Sequence, residues 1–366
     1  MPLTVVVGGQ YGSEGKGKLV SYLARSTAPS VAVVRCGGSN AGHTAEGSLG
    51  RALLRQLPSG AVEPACQLFL AAGMQLDLPV LQREIEQLQI GADRLCIDRG
   101  AVIIEPSDRT TEETHQLYDR IGSTLSGTGA SAARKVLRDS SLRRAEDVPE
   151  LRAYVGDVAE ALATHLARGA HVVVEGTQGA GLSLHHGPYP YTTGRDTTAA
   201  AFLSEAGLAP MHVTDVLMVL RTYPIRVGGP SGPLHGELSW DEVALRSGYP
   251  TALAEYTTVT GRLRRIGEFD WPLARRAVRL NGPTSLAVHG ADYLNCADLG
   301  VRSWDELSTT TRAFVECLER ELGVPVRYVF TGPDGGDLVD RGGAHSVRTA
   351  LHAPSMARTL AATTET

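Results

Sequence analysis

An α/β fold with a central, largely parallel sheet and flanking helices is what this 366-residue chain predicts. Three observations carry that reading. Apolar runs recur along the chain, and each ends in a glycine-rich polar loop. The runs are nearly continuous in β-branched residues, the mark of strands covered on both faces. Segments of helical spacing lie between them, while aliphatic residues are plentiful and aromatics scarce.

The first run, Thr4-Val5-Val6-Val7, opens into Gly8-Gly9-Gln10-Tyr11-Gly12-Ser13-Glu14-Gly15-Lys16-Gly17-Lys18. Val31-Ala32-Val33-Val34-Arg35 opens into Cys36-Gly37-Gly38-Ser39-Asn40-Ala41-Gly42-His43-Thr44. Leu68-Phe69-Leu70 leads to Ala71-Ala72-Gly73, and residues 171–174 lead to Glu175-Gly176-Thr177-Gln178-Gly179. Residues 326–330 run into Thr331-Gly332-Pro333-Asp334-Gly335-Gly336, and residues 285–288 form a further strand. Ligands of parallel sheets bind beyond the carboxyl ends of the strands, so the five glycine loops point to one shared site. Helices are expected over residues 19–26, from Leu19, Tyr22 and Leu23, and over residues 309–322, from Phe314, Val315, Leu318 and Leu322. Ser239-Trp240-Asp241-Glu242 and Ser303-Trp304-Asp305-Glu306 both read as capping boxes.

No repeat or linker divides the chain, so one catalytic domain is expected over residues 1–353, with residues 354–366 as a disordered tail. The formal charge of −5 argues against a general nucleic-acid surface. Five widely spaced cysteines without a C-x-x-C pair fit a reduced compartment rather than structural zinc. No apolar run approaches the ~20 residues that span a bilayer. A soluble, cytoplasmic protein without membrane partners is the expectation.

The first loop is built for phosphate. Its glycines let backbone N–H groups turn inward, Lys16 adds charge, and a helix N-terminus follows. Five residues separate Gly9 from Gly15, and glycine follows Lys16, so the common P-loop spacing is not met. His43 ends a glycine-rich loop where it has no apolar face to fill. Residues 121–129 (Ile-Gly-Ser-Thr-Leu-Ser-Gly-Thr-Gly) form a second anion loop, and Arg262, Arg264 and Arg265 crowd a glycine-threonine turn. Such arginines suit a dicarboxylate, which needs a fork-shaped partner at each end. His185 and His186 are adjacent and would point oppositely, so they do not form a metal site.

The first two loops together resemble the signature of adenylosuccinate synthetases, G-x-Q-W/Y-G-D-E-G-K-G-K followed by G-G-x-N-A-G-H-T. Residues 175–179 and 186–193 are similar to that family's E-G-A-Q-G…H-G-T-Y-P-Y-V-T. Residues 257–265 resemble its T-T-G-R-R-R-R loop, and His289-Gly290-Ala291-Asp292 occupies the place of its T-K-x-D. The resemblance runs from Val5 to Asp334. It implies the fold of those enzymes, related to P-loop GTPases, and a ligase that joins aspartate to a purine nucleoside monophosphate.

What the resemblance implies for single residues can be stated in turn. Ser13, Lys16 and His43 would be catalytic, His43 as the acid at the purine 6-oxygen, help of a kind worth ~10²–10⁴ in rate. Asn40, Ser123, Thr124, Gln178 and Thr193 would bind the monophosphate, with Arg134 reaching it from a neighbouring subunit of a homodimer. Thr258, Thr260, Arg262 and Arg264 would take aspartate. Gly12, Glu14, Gly15, Lys16, Gly17, Gly42, His43 and Thr44 would cradle the donor triphosphate; Asp292, Thr331, Gly332 and Pro333 would line its base pocket. Mg²⁺ would lie beside Ser13 and Gly42.

Two departures shape the expected substrates. Ser13 stands where the family has an aspartate that takes the N1 proton and a metal. A smaller residue beside N1 leaves room for a 2-amino group, so dGMP is expected in place of IMP, as in similar phage enzymes that make diaminopurine nucleotides. Ordinary IMP ligation and a non-catalytic nucleotide-binding regulator are the alternatives. Glu14, a water held by Ser13, or the substrate's phosphate could replace the missing base. Gly290 stands where the guanine-supporting lysine would be, so ATP, or dATP or GTP, is the expected donor.

Overall fold

The computed structural model describes residues 2–26, 30–257 and 261–342. Ten strands make its central sheet. In chain order they are β1 (Leu3–Gly8), β2 (Val31–Arg35), β3 (Gln67–Leu70), β4 (Leu95–Asp98), β5 (Val155–Gly156), β6 (His171–Glu175), β7 (Asp215–Arg221), β8 (Ser285–His289), β9 (Val326–Phe330) and β10 (Leu338–Asp340). Across the sheet they run β10-β9-β8-β7-β1-β6-β2-β3-β4-β5. Every neighbouring pair is parallel except β9 with β10.

All residues of β1 and β2 are buried, as their β-branched runs require for strands with helices on both faces. Val5 sits opposite Val174 of β6 and Val216 of β7, so the first strand is the middle of the apolar cluster that runs from Leu3 to Val339. β1 is also the switch point of the sheet, with β2 to β6 on one side of it and β7 to β10 on the other. A crevice at the carboxyl ends of the strands follows from that arrangement.

The first helix, α1 (Lys16–Ser26), starts three residues before the apolar spacing predicts. Lys18 N and Leu19 N both reach the Gly15 carbonyl, so the glycine loop turns directly into helix. Gly17 belongs to that first turn because a side chain there would meet the Thr44 carbonyl at 2.9 Å. The helix over Thr309–Leu322 forms as expected, with Ser308 as its cap.

Of the two expected capping boxes, Ser239 and Glu242 form one. Ser303 does not: residues 304–306 make a short 3₁₀ turn without a side-chain cap. Asp298 holds both the N–H and the hydroxyl of Ser308, which moves the helix start downstream. The expected domain over 1–353 and its tail 354–366 extend past the described residues.

Candidate active site

Two cavities of about 610 and 570 Å³ open at the carboxyl edge of the sheet. Gly12, Ser13, Ala41, Gly42, Gln178 and Arg264 line both. The shared wall is therefore built from the first two glycine loops, the loop after β6 and one arginine.

The first cavity holds the expected triphosphate residues. Gly12, Gly15, Lys16, Gly17, Gly42, His43, Thr44, Asp292, Gly332 and Pro333 all line it. Thr331 does not; it is fully buried, and its hydroxyl donates to the Val301 carbonyl at 2.7 Å. Glu14 is also absent from the lining, because its carboxylate shapes the loop from beneath. It accepts from Gln10 N at 2.9 Å, Gly12 N at 2.8 Å and Lys16 Nζ at 2.8 Å. Lys16 also donates to the Gln178 and Gly12 carbonyls. Glu14 is thus occupied and is a poor stand-in for the missing N1 base.

Gly15 has φ of +92°, and a side chain there would meet the His289 ring at 2.5 Å. That ring stacks on Phe330 with centroids 4.0 Å apart, and its Nε2 has no hydrogen-bond partner among the described residues. Burial, then Lys18 and Arg221, hold His289 neutral, well below the ordinary histidine range. Burial also brings Lys18 down to about 8, where its Nζ donates to the Gly332 carbonyl.

His43 lies in the first cavity beside a buried carboxylate. Its Nε2 is 3.7 Å from Glu175 Oε1, and neither ring nitrogen makes a hydrogen bond of ordinary geometry among the described residues. Burial, with help from Arg35, pushes its pKa down to about 3. It would therefore act as a neutral imidazole whose N–H donates to developing charge, not as an imidazolium. Glu175 itself is held by Arg35 at 2.8 Å and by the Ser59 N–H and hydroxyl at 2.7 and 2.8 Å. Burial raises its pKa, but Arg35 and the other donors outweigh this and keep it ionised.

The second cavity gathers the expected monophosphate residues Asn40, Ser123, Thr124, Gln178 and Thr193. Gln178 donates to Asn40 at 3.2 Å, which ties the loop after β6 to the loop after β2. Arg134 lies outside this lining. Its guanidinium is paired within the same chain, to Asp108 at 3.2 Å and Asp139 at 3.3 Å. Arg264 lines both cavities, whereas Arg262 lines neither and stacks on the Tyr118 ring at 4.1 Å. Thr258 and Thr260 lie outside the described residues.

One of the five glycine loops is elsewhere. Gly73 packs against Glu205, and its carbonyl accepts from Arg195, away from both cavities. Its place is taken by the end of β7, where Arg221 donates to the Ser13 carbonyl at 3.2 Å and pairs with Glu255.

No cluster of three or more His, Cys, Asp or Glu suited to a metal occurs among the described residues. Ser13 and Gly42 offer only a hydroxyl and a carbonyl. Such a sparse, hard-oxygen set fits Mg²⁺ that arrives on phosphate oxygens and keeps much of its water.

Adenylosuccinate synthetase is the family whose model matches this chain, over residues 5–147 and 140–299. The enzyme of that name from Thermococcus onnurineus is 41% identical over 345 residues, 93% of this chain and 99% of the relative. The chain belongs to the adenylosuccinate synthetase family. Another relative of the same name, from Methanocaldococcus jannaschii, is 40% identical over 341 residues, 92% of this chain and 96% of its own length. Among solved structures, adenylosuccinate synthetase from Plasmodium falciparum superposes with a TM-score of 0.82 at 21% identity, covering 93% of this chain and all of that one, and so speaks for the fold. The succinoaminodeoxyadenylate synthetase of cyanophage S-2L, solved with dGMP and with dATP as energy donor, matches at 30% identity and a TM-score of 0.76 over 93% of this chain and 95% of its own.

Family membership makes the protein an NTP-dependent C–N ligase of purine biosynthesis, in a family that uses Mg²⁺. No helix among the described residues is long and apolar enough to cross a membrane. The residues that sequence reasoning left out are Arg35, Glu175, Arg221, Tyr249, Glu255 and His289. Arg35 and Arg221 share a signal, an arginine that closes an unbroken apolar run at the end of its strand.

Proposed function

We propose that this adenylosuccinate synthetase family member joins L-aspartate to C6 of dGMP, with ATP or dATP as phosphoryl donor. The chemistry would pass through a 6-phosphoryl intermediate and give 2-amino-2′-deoxyadenylosuccinate, a precursor of diaminopurine nucleotides. The observation that carries this reading is Ser13 in the wall shared by the two cavities. A family aspartate at that place would crowd a 2-amino group; serine leaves it space. The cyanophage enzyme solved with dGMP shares the fold at 30% identity, less than the 40–41% of the relatives named adenylosuccinate synthetase, so the reading rests on Ser13.

Each residue has a defined task in this scheme. The glycine loop and the N-terminus of α1 hold the donor phosphates, with Lys16 exchanging Glu14 for phosphate oxygens. His43 donates its N–H to the 6-oxygen as charge builds there. Arg264 orients aspartate, and residues 123–124 with Gln178 and Thr193 fix the monophosphate. When bound, Mg²⁺ supplies neutralisation of phosphate charge. With Glu14 occupied, a water on Ser13 or the substrate's own phosphate remains to take the N1 proton.

The donor preference rests on Gly290. Its φ is +79°, and a side chain there would come within 2.9 Å of the Thr222 hydroxyl, so no lysine stem supports a guanine. Asp292 accepts from the Tyr249 hydroxyl at 2.7 Å. A homodimer is part of the proposal through the family; Arg134 would have to exchange Asp108 and Asp139 for a partner's phosphate.

A second reading is favoured by a specific finding. The relatives at about 40% identity are named adenylosuccinate synthetases, which favours IMP as the substrate over dGMP. A phosphate-release assay with aspartate and ATP, comparing dGMP, GMP and IMP, separates the two. Faster turnover of IMP than of dGMP would establish the second reading. No turnover of any monophosphate would leave a nucleotide-binding regulator.

A further inference from the structure

The first cavity contains a carboxylate that no expected role absorbs. Glu255 lies just before the arginine turn, with its side chain 24% exposed. Its Oε1 accepts from Arg221 and from the Tyr293 hydroxyl, the latter at 2.8 Å. Its Oε2 accepts from Arg264 Nη1 at 3.3 Å and Arg221 Nη1 at 3.4 Å. The backbone repeats the link, because Arg264 N donates to the Glu255 carbonyl at 2.8 Å. Thr257 N donates to the Arg262 carbonyl at 2.8 Å, so residues 255–257 and 262–264 form a short antiparallel ladder.

We propose that Glu255 is a positioning residue, which holds Arg264 in place for the carboxylate of aspartate and ties it to the donor cavity through Tyr293. This rests on the reading that Arg264 takes aspartate. One carboxylate between two guanidiniums leaves one positive charge uncompensated, so the pair stays attractive to an incoming anion. The forked contact fixes the plane of the Arg221 guanidinium, and Arg264 is tied to the same residue by its Nη1 at 3.3 Å and by its backbone N–H. Arg264 Nε is buried without a partner among the described residues, a donor left for a ligand. Tyr293 follows Asp292 directly and lines the first cavity, so the same carboxylate touches the elements that would serve both substrates.

Arg221 extends the device to the first loop. Its Nη1 donates to the Ser13 carbonyl, so Glu255 also steadies the backbone at the position that departs from the family. Without the negative charge, Arg221 and Arg264 would repel one another, and the more exposed Arg264 would move.

The test uses Glu255→Gln, which keeps shape and removes charge, with whichever purine monophosphate the enzyme turns over. The expected result is a rise in KM for aspartate of about tenfold or more, with kcat and the KM for the triphosphate changed less than about threefold. Glu255→Asp, which restores the charge one methylene short, should lie between the two. If Gln at this position lowers thermal stability too far for assay, the Asp variant carries the test through the same selective rise in aspartate KM. Arg264→Lys is measured in parallel. An unchanged aspartate KM in the Glu255 variants while Arg264→Lys raises it would overturn the proposal, as would an equal loss in every kinetic constant. An aspartate KM unmoved by Arg264→Lys would instead remove the reading of Arg264 on which the proposal stands.

Discussion

Lys16 and Glu14 form a 2.8 Å ion pair inside the glycine loop, with side chains 7% and 1% exposed. The lysine that would hold phosphate is thus oriented by a residue that does not itself line the cavity. Glu14→Ala would leave the N–H groups of Gln10 and Gly12 without their acceptor, and the ammonium with carbonyl partners but no carboxylate. Breaking a buried pair by removing one partner costs about 3–5 kcal/mol. Urea unfolding should show a loss of that order, together with loss of turnover. An unchanged midpoint would mean that the loop holds its shape without Glu14.

His43 gives a prediction in pH. Its folded pKa of about 3 lies below the ordinary value of 6.5. As pH falls below 6.5 the unfolded chain binds a proton there and the folded chain does not, so stability declines from about pH 6.5 towards 3. His289 shifts in the same direction and adds to the decline. His43→Gln should flatten the profile of unfolding free energy in that window. In kinetics, His43→Ala should lower kcat by a factor of about 10² or more and leave monophosphate affinity nearly unchanged. A variant that keeps a wild-type pH–stability slope would show that His43 is not buried neutral.

Gly290 and Gly15 are set by the backbone. Restoring the family's lysine by Gly290→Lys would force a side chain into positive φ beside Thr222, a strain of about 1–3 kcal/mol. The expectation is a lower melting temperature and no gain in GTP use. If kcat/KM for GTP overtakes that for ATP in this variant without loss of stability, the account of the donor pocket is wrong.

The strand ends, the glycine loops and the residues that gather in the two cavities were legible because each is local in the chain. β-branched runs mark the strands, and the loops carry unbroken motifs. What was not legible depends on distant pairing. Glu175 opens a recognised motif, yet its grip joins Arg35 on a neighbouring strand and Ser59 in a 3₁₀ turn distant in the chain. Glu255 meets Arg221 and Tyr293 only because β7 and β8 lie side by side. Arg134 reads as a phosphate ligand in sequence but finds Asp108 and Asp139 in the folded chain. Ser303 has every residue of a capping box, and it loses the helix start to Ser308 because Asp298 reaches across from another turn.

Ser13 is the residue on which the functional account turns, and Ser13→Asp tests it most directly. A misplaced side chain against a polar edge group costs about 1–3 kcal/mol, a tenfold to hundredfold change in preference. The measurement is the ratio of kcat/KM for dGMP to that for IMP, in the wild-type protein and in the variant. The account predicts a ratio above one that falls at least about tenfold on substitution. A ratio that stays the same or rises would contradict it and move the choice of purine to other residues of the shared wall.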